Sequence, residues 1–378
     1  MTVRVASVGV GKFGRRTEGL VDLASEAASL ALEGVGRKPI DLLVVGTMLG
    51  HGPHGPFAVL PRLAGRLGLE NATGLRVEAA SATGAMAFHA AVEALEAGRA
   101  TRALVVAAEK MTDLPTPTLT GELAAALHES EAALGATMPG LGALVAQRYL
   151  ERHELTETAC AAVTVLDREN AARNPGAHFQ QPVTAEEVNA SRPIALPLRL
   201  LHCAPISDGA AAVVVEKGRG PATVLGLGQG FDALRLIDRA DLTTFVATRL
   251  AARRAYEEGR LTRKNVDVVE LHDAFAPFAF VHLEDLGFCG PGEGPGWFER
   301  GWVRPDGRLP VNPGGGLLGR GHPVGASGLA GIAEIALQVR GEAGGHAIAR
   351  RPKVGLAHSM AGLGVQNFVT ILGEAGAG

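Results

Sequence analysis

Apolar and polar positions along the first 110 residues show two periodicities, one typical of strands and one typical of helices. Runs of apolar and β-branched residues predict strands at residues 3–8, 40–45, 75–80 and 103–108. Helical spacing of apolar residues predicts helices at residues 20–32, 57–67 and 84–97, and a loop rich in His, Gly and Pro is expected at residues 51–56. Strands that alternate with helices in this way are typical of an α/β fold with parallel strands.

The alternation breaks between residues 111 and 201, a stretch rich in Pro, Thr and His. Helical spacing persists there only in pieces, at residues 140–152 and 156–174. We therefore predict an inserted loop or cap domain at residues 111–201. The apolar segment 204–216 predicts a buried strand that returns to the first unit. One half of the protein would then comprise residues 1–110 and 202–220, and the other half residues 221–378.

The second half repeats features of the first. Residues 263–270 (RKNVDVVE) resemble residues 37–44 (RKPIDLLV), and the tetrapeptide GASG at 325–328 precedes a helix as SATG does at 81–84. An internal duplication explains these matches better than chance does. Two such halves can stack their sheets around shared helices, in the order α/β/α/β/α. Both strand–turn–helix corners would then lie near one cleft.

Composition limits the class of function. The chain is 47% hydrophobic and 20% charged, which is typical of soluble globular proteins. Its net charge of −3 gives no basic surface for nucleic acid. Cys160, Cys203 and Cys289 are widely spaced, which favours a reducing compartment and neither disulfides nor zinc. With no signal peptide and no apolar run of about 18 residues, we expect a cytoplasmic protein without a membrane partner.

A glycine-rich stretch from Asn312 to Gly328, NPGGGLLGRGHPVGASG, leads into the apolar segment 329–339. Glycines allow tight turns and close approach to a ligand, and the helix that follows offers unpaired N–H groups at its positive end. Asn312 and Gly321 are candidate residues of this site loop. His322 within it can act as a base or as a donor to an oxyanion. A structural turn with a solvent-exposed histidine is the alternative.

Three further positions fit the same chemistry. Ser81 ends a predicted strand and begins a helix, where a side chain is exposed in front of helix N–H groups. The alternative role for Ser81 is a helix N-cap, which serine favours. His272 ends a buried strand in the sequence ELHDAF, and a hydrogen-bonded core histidine is its alternative. His358 follows the predicted strand 353–357.

A second glycine-rich pattern raises the alternative of a dinucleotide-binding fold. Residues 9–14, GVGKFG, match the GxGxxG pattern of dinucleotide-binding folds. Such a fold requires a helix directly after the glycines and an acidic residue at the end of the second strand. The second predicted strand runs into Gly46-Thr47-Met48 instead, without an acid. The pattern therefore gives little support to nicotinamide binding.

These motifs resemble those of the thiolase family, most closely the sterol-carrier-protein type, over essentially the whole chain. The resemblance implies the thiolase fold, an α/β/α/β/α sandwich of two duplicated βαβαβαββ halves with an inserted loop domain. Ser81 stands where the family carries the cysteine that accepts the acyl group. Ala274, in His-Asp-Ala-Phe, stands where the family carries the cysteine that acts as acid and base in the carbon–carbon step. Both catalytic cysteine positions are therefore replaced.

The resemblance also implies roles for the histidines. His322 would activate the nucleophile and donate to the thioester oxygen, and His272 would help to hold an oxyanion. His358 stands where conventional thiolases carry a cysteine and the sterol-carrier type carries a histidine. The backbone N–H near Met360, in the segment that continues to Gly362, would form a second oxyanion hole with that of Ser81.

Three functions remain open from the sequence. The first is an enzyme of lipid or acyl-CoA metabolism that transfers an acyl group, or makes or breaks a carbon–carbon bond, on a coenzyme A thioester. The second is a catalytically degenerate subunit that binds acyl-CoA or lipid, for which relatives suggest a small OB-fold, zinc-ribbon partner. The third is a nicotinamide-dependent oxidoreductase. The resemblance further implies a homodimer or tetramer without a tightly bound cofactor or metal.

Overall fold

A computed structural model describes residues 2–36, 38–50 and 57–374. The loop predicted at residues 51–56 lies outside the described residues. The strands are β1 (Val3–Val10), β2 (Leu42–Gly46), β3 (Thr73–Val77), β4 (Arg102–Glu109), β5 (Pro193–Ala195), β6 (Leu198–Arg199), β7 (Gly209–Lys217), β8 (Thr223–Phe231), β9 (Val268–Glu270), β10 (Val354–Ala361) and β11 (Gln366–Gly373). The α-helices are α1 (Leu20–Glu33), α2 (Val59–Leu67), α3 (Thr83–Glu96), α4 (Thr116–Ala124), α5 (Glu129–Ala133), α6 (Met138–Arg152), α7 (Ala161–Ala171), α8 (Ala185–Ala190), α9 (Val246–Gly259), α10 (Ala276–Asp285), α11 (Gly294–Glu299), α12 (Gly316–Arg320) and α13 (Val324–Arg340).

Nine strands pair side by side in the order β3-β2-β4-β7-β1-β8-β11-β10-β9. The first five come from the first half of the chain and the last four from the second. Strand β2 is parallel to β3 and β4, while β7 is antiparallel to both β4 and β1. The two halves join where β1 meets β8, through the pair Arg4 and Thr223. The two predicted sheets are therefore continuous at one edge.

Helices cover these strands in three layers. Helices α1 and α2 pack on the outer face of the first-half strands. Helices α3 and α13 lie between the strands of the two halves, and α9 and α10 cover the outer face of the second-half strands. Strands β2 and β4 are almost entirely buried because helices cover both of their faces. The predicted α/β/α/β/α sandwich is therefore confirmed.

The central helices α3 and α13 approach closely at two matching glycines. A Cβ on Gly84 would lie 2.5 Å from the backbone nitrogen of Leu329. A Cβ on Gly328 would lie 2.9 Å from the backbone nitrogen of Ala85. Gly84 and Gly328 hold the same place in the repeated tetrapeptides 81–84 and 325–328. The duplication is therefore visible as a near-symmetric crossing of the two helices.

The second half departs from an exact copy of the first by one strand. Where β3 would be repeated, the chain makes only a parallel bridge between Val269 and Val311. The backbone N–H of Val269 donates to the carbonyl of Pro310 at 3.0 Å, and that of Asn312 donates to the carbonyl of Val269 at 2.8 Å. Prolines at 310 and 313 have no N–H to extend the pairing.

The chain between β4 and β7 adds helices α4 to α8 and the β5–β6 hairpin. The buried carboxylate of Asp208 ties the two ends of this segment together. It accepts from the backbone N–H groups of Met111 at 2.6 Å and Thr112 at 2.8 Å, and from Lys110 Nζ at 2.9 Å. Burial alone would raise the pKa of Asp208, but the hydrogen bonds from Thr112 and Lys110 outweigh it and lower that pKa. The predicted boundaries at 111 and 201 remain a prediction.

Candidate active site

Ser81 lies in a sharp turn between β3 and α3. A 3-10 helix, Ala80–Ala82, joins the two elements, and Ala80 has a φ of 44°. A non-glycine residue in this left-handed region is strained by about 1 kcal/mol or more. Helix α3 has Ala82 as its N-cap without a side-chain hydrogen bond, and the Thr83 hydroxyl donates to the Ala80 carbonyl at 2.6 Å. Ser81 is therefore not the cap, and its half-buried hydroxyl has no partner among the described residues.

The glycine-rich stretch forms α12 and then the turn that carries His322. The Ser327 hydroxyl donates to the Pro323 carbonyl at 2.9 Å, so it accepts from His322 Nδ1 at 2.8 Å. This places the proton of the neutral ring on Nδ1 and leaves a lone pair on Nε2. Burial, with the Arg320 guanidinium nearby, lowers the pKa of His322 to about 3. His322 is therefore a neutral hydrogen-bond acceptor at physiological pH.

The Ser81 turn lies against the elements that carry the histidines. The 3-10 helix Ala80–Ala82 packs on α13, which begins two residues after His322, and on β10, which contains His358. The first turns of α3 and α13 both point at this junction because the helices cross near their N-termini. Two positive helix ends therefore converge beside Ser81.

His272 lies two residues past the end of β9 and faces His322. The two rings meet edge to face, with centroids 5.3 Å apart. Burial, followed by His322, His358 and Arg320, lowers the pKa of His272 well below its usual value. A neutral imidazole so placed can donate or accept a hydrogen bond without carrying charge.

His358 lies in β10, just past the point where β9 ends. Glu270, the last residue of β9, pairs with Ala357, so the chain toward His272 leaves the strand beside His358. Burial lowers the pKa of His358 to about 3. The structure thus brings the three predicted histidines together at the ends of β9, β10 and the glycine-rich turn.

The remaining predicted positions shape the backbone around this junction. Met360 is buried in β10 opposite Asn367, and Gly362 has a φ of 53° in the turn that follows. Gly321 has a φ of 106°, and a side chain there would meet the Ser207 hydroxyl at 2.7 Å. Glycine is therefore required at 321 on grounds of both conformation and space.

Asn312 braces the strand end that leads to His272. Its Oδ1 accepts from the Leu271 N–H at 2.7 Å, and its Nδ2 donates to Asp167 Oδ1 at 3.2 Å. Both ends of the amide are therefore used inside the protein. Asn312 acts on the site through the backbone that positions His272.

Two buried carboxyl groups support the same region. Asp273 Oδ1 accepts from the Leu317 N–H at 2.8 Å and so fixes the start of α12. Burial, followed by the facing carboxylate of Asp273, raises the pKa of Asp167 well above its usual value. Burial and the nearby Asp273 carboxylate thus both favour the protonated form of Asp167.

Sequence reasoning missed Glu109, at the end of β4. Its buried carboxyl accepts from the backbone N–H groups of Met48, Leu49 and Gly325 at 2.8–3.0 Å, and from the Thr47 hydroxyl. Burial raises its pKa to about 7. Glu109 thus ties the loop after β2 to the first turn of α13. A lone acid at the end of an apolar strand is the only signal that the sequence offers for it.

Cysteine and tyrosine chemistry find no support at this junction. The Ala274 position has no proton to transfer, and burial raises the thiol pKa values of Cys160 and Cys203 to about 12. Tyr149 donates to Glu284 at 2.5 Å, and Tyr256 donates to the Leu286 carbonyl at 3.1 Å, both away from the histidines. Serine and neutral imidazole are therefore the reactive groups available.

The glycine turn at 9–14 does not have dinucleotide-binding geometry. Helix α1 begins only at Leu20, and the backbone of Phe13 and Gly14 is hydrogen-bonded to Gly176 and Asp208. Among the described residues, no group of three or more His, Cys, Asp or Glu side chains is arranged to hold a metal ion. No helix in the described part of the chain is long and apolar enough to cross a bilayer.

Comparison with known proteins identifies the family. Residues 3–218 match the family described as "Thiolase, N-terminal domain", and residues 228–374 match "Thiolase C-terminal domain-like". The chain therefore belongs to the thiolase family, and its fold is the thiolase fold, as the sequence resemblance implied.

The relatives specify the resemblance further. Acetyl-CoA acetyltransferase of Methanothermobacter thermautotrophicus is 39% identical, over 95% of this chain and 97% of that protein. Sterol carrier protein 2 of Rattus norvegicus is 29% identical, over 98% of this chain and 71% of that protein. The solved structure of the Ltp2-ChsH2(DUF35) aldolase has a TM-score of 0.84 at 27% identity, over 99% of this chain and 98% of that chain. The chain is thus similar in sequence to acyl-CoA acetyltransferases and, within the thiolase family, to the sterol-carrier-protein type.

Proposed function

We propose that this protein is an enzyme of lipid or acyl-CoA metabolism, located in the cytoplasm as a homodimer or tetramer. Its substrate is a coenzyme A thioester, and its reaction is acyl transfer or a carbon–carbon bond step. Ser81 replaces the family's nucleophilic cysteine. His322, His272 and His358 supply the base and the oxyanion donors, with the backbone N–H groups of Ser81 and Met360 as a second oxyanion hole.

One observation carries this proposal: the strained Ser81 turn, whose hydroxyl has no partner among the described residues, packs on α13, which follows His322, and on β10, which contains His358. A helix cap or a packing serine would have its hydroxyl engaged. The strained residue, Ala80, directly precedes the candidate nucleophile Ser81. Backbone strain of this kind is typically found at functional sites.

The proposed first half of acyl transfer forms an acyl-enzyme on Ser81. The Ser81 hydroxyl attacks the thioester carbonyl carbon, and its proton passes to the lone pair on His322 Nε2. The carbon–sulfur bond breaks, and the departing thiolate of coenzyme A takes the proton back from His322. The converging ends of α3 and α13 stabilise the oxyanion that forms in between. A serine hydroxyl is much less acidic than a thiol of pKa about 8.5, so the base is essential.

A second candidate function is a non-catalytic acyl-CoA-binding subunit. The specific observation in its favour is that both cysteine positions are replaced, by Ser81 and Ala274. The structural similarity to the Ltp2-ChsH2(DUF35) aldolase, whose name contains two proteins, supports a partner protein for this chain. We propose that this partner is a small OB-fold, zinc-ribbon protein. In that case the partner would complete the site.

The test compares the native protein with Ser81→Ala and Ser81→Cys. Each is incubated with acetyl-CoA and acetoacetyl-CoA, free coenzyme A is followed with time, and intact mass reports acyl adducts. Binding of acetyl-CoA is measured by calorimetry, and thermal unfolding confirms that each variant is folded.

We expect coenzyme A release and an acyl adduct on the native protein, both lost in Ser81→Ala while binding persists. Binding without turnover in the native protein, with acylation only in Ser81→Cys, would refute the serine mechanism and favour the subunit. Turnover that survives in Ser81→Ala would leave the three histidines as the catalysts of a step without a covalent intermediate.

A further inference from the structure

A buried polar cluster lies behind His358, between the sheet and its outer helices. Thr248 of α9 and His282 of α10 face His358 of β10 and Asn367 of β11. Thr248 Oγ is 3.3 Å from His282 Nδ1 and 3.3 Å from His358 Nε2, and Asn367 Nδ2 donates to it at 2.7 Å. The two imidazole centroids are 4.2 Å apart. All four side chains are at most 4% exposed.

Both rings are neutral at physiological pH. Burial lowers the pKa of His358 to about 3. Burial, followed by His358 and His272, lowers the pKa of His282 well below its usual value. Each neutral ring carries one N–H and one lone pair, so its proton must sit either on Nδ1 or on Nε2.

The single hydroxyl of Thr248 links these two choices. A hydroxyl has one proton and two lone pairs, and Asn367 already occupies one lone pair. One lone pair and one proton are left for the two histidines. One ring must therefore donate to Thr248 while the other accepts from it.

Each of the two arrangements leaves one buried N–H without a partner among the described residues, on His282 in one case and on His358 in the other. His282 Nε2 and His358 Nδ1 are both buried and have no hydrogen-bonding partner among the described residues. If His282 accepted from Thr248, its own N–H would point unpaired into a core where the ring of Phe245 stacks on it at 4.9 Å. Buried N–H groups without partners are rare and costly, whereas an unused acceptor is tolerated more often.

The opposite arrangement moves the unpaired N–H to His358. His282 then donates through Nδ1 to Thr248, Thr248 donates to His358 Nε2, and the His358 proton sits on Nδ1. His358 lies beside the point where the chain leaves β9 toward His272, and its Nδ1 is on the side of the ring away from Thr248, so we place this N–H next to the candidate active site. A bound acyl oxygen can accept it there.

We propose that Thr248, His282 and Asn367 are positioning residues that hold His358 in its Nδ1–H form. His358 therefore acts as a hydrogen-bond donor to an acyl oxygen, and not as a base. The link between the two rings rests on the cluster, whereas the choice of the Nδ1–H form for His358, like the acyl oxygen that accepts from it, rests on the proposed function.

The test is the protonation state of each ring in the whole protein. Histidine is labelled with ¹⁵N, and long-range ¹H–¹⁵N correlation at pH 7 distinguishes Nδ1–H from Nε2–H rings by their cross-peak pattern. His358→Gln and His282→Gln spectra assign the two signals. We expect Nδ1–H at both rings in the native protein. An Nε2–H form at His358 would overturn the inference.

Thr248→Val and Thr248→Ser then test the link itself. Valine keeps the shape of threonine but removes the hydroxyl, whereas serine retains it. We expect the Nδ1–H signal of His358 to be lost in Thr248→Val and kept in Thr248→Ser. An unchanged His358 signal in Thr248→Val would show that Thr248 does not set the proton.

Kinetics give an independent readout. If thioester turnover is observed, kcat should fall in Thr248→Val by up to the about 10²–10³-fold that losing one oxyanion donor costs, and serine should restore it. An unchanged kcat in Thr248→Val would contradict the donor role of His358. A native protein without turnover but with an Nδ1–H ring would refute the proposed function and leave the assigned ring form intact.

Discussion

The crossing of α3 and α13 at Gly84 provides a prediction whose size follows from the structure. In Gly84→Ala the new Cβ would lie 2.5 Å from the Leu329 nitrogen, 2.8 Å from Leu329 Cβ and 3.1 Å from the Gly325 carbonyl oxygen. Ordinary carbon contacts need about 3.5 Å or more, so the two helices must separate by about 1 Å. Because two of these neighbours are backbone atoms, no side-chain rotation can relieve the clash.

Overpacking of this kind costs about 1–3 kcal/mol or more. Alanine returns at most about 1 kcal/mol through its higher helix propensity, and less near a helix end. We therefore expect Gly84→Ala to lose about 2 kcal/mol of unfolding free energy, a change of up to about 30-fold in the folding equilibrium. The same separation would move Ser81 away from His322, so coenzyme A release should fall as well.

Gly65→Ala in the exposed part of α2 is the matched control. A Cβ there meets nothing within 4 Å, so only the helix-propensity gain of about 0.5–1 kcal/mol applies. Urea denaturation followed by circular dichroism measures both variants under one condition. The reasoning requires opposite signs. Equal stability of Gly84→Ala and the native protein would refute the close helix crossing, and a loss in Gly65→Ala would refute the propensity argument.

Three further predictions address the site. Asp167→Asn should keep the native stability, because its amide can donate to Asp273 and accept from Asn312. Asp167→Ala should lose about 2–4 kcal/mol in urea denaturation, because it leaves the buried Asn312 Nδ2 without an acceptor and removes the donor to Asp273. Equal effects of the two variants would contradict a protonated Asp167. Because Ala80 has a φ of 44°, Ala80→Gly should be as stable as the native protein or more stable, and Ala80→Val should lose about 1–3 kcal/mol in the same assay. Similar stability of the two variants would contradict the strained turn. The His322 ring should stay neutral from pH 8 down to pH 5 in a ¹⁵N NMR titration, because it gains a proton only as the pH falls toward its pKa of about 3, and a midpoint between pH 6 and 7 would contradict this.

Much of this architecture was predictable because it is local in the sequence. The periodicity of apolar residues predicted β1, α1, β4 and α3 within a few residues of their observed bounds. The repeated tetrapeptides predicted the duplication, whereas the close helix crossing at Gly84 and Gly328 became visible only in the structure. The missing fifth strand of the second half was not predicted, although Pro310 and Pro313 remove the donors that such a strand needs.

The supports of the candidate site were much less accessible. Ser81, His272, His322 and His358 lie in recognisable motifs, so each could be proposed from its neighbours in the chain. The buried polar partners of His358 come from α9, α10 and β11, and no motif in the sequence marks them. Only the fold reveals that they meet, because their positions are separated by more than 30 residues of sequence.

The electrostatics of the site follow from what replaces the thiols. With the pKa values of His322 and His358 near 3, neither ring carries charge at physiological pH. The positive potential for a developing oxyanion then comes from groups other than these rings, namely the Arg320 guanidinium and the helix dipoles at the N-termini of the 14-residue α3 and the 17-residue α13. Such dipoles need no proton uptake and act most strongly where water is excluded. A serine nucleophile needs both histidines in the neutral form. Neutral His322 can then accept the serine proton, and neutral His358 can donate a hydrogen bond to the acyl oxygen.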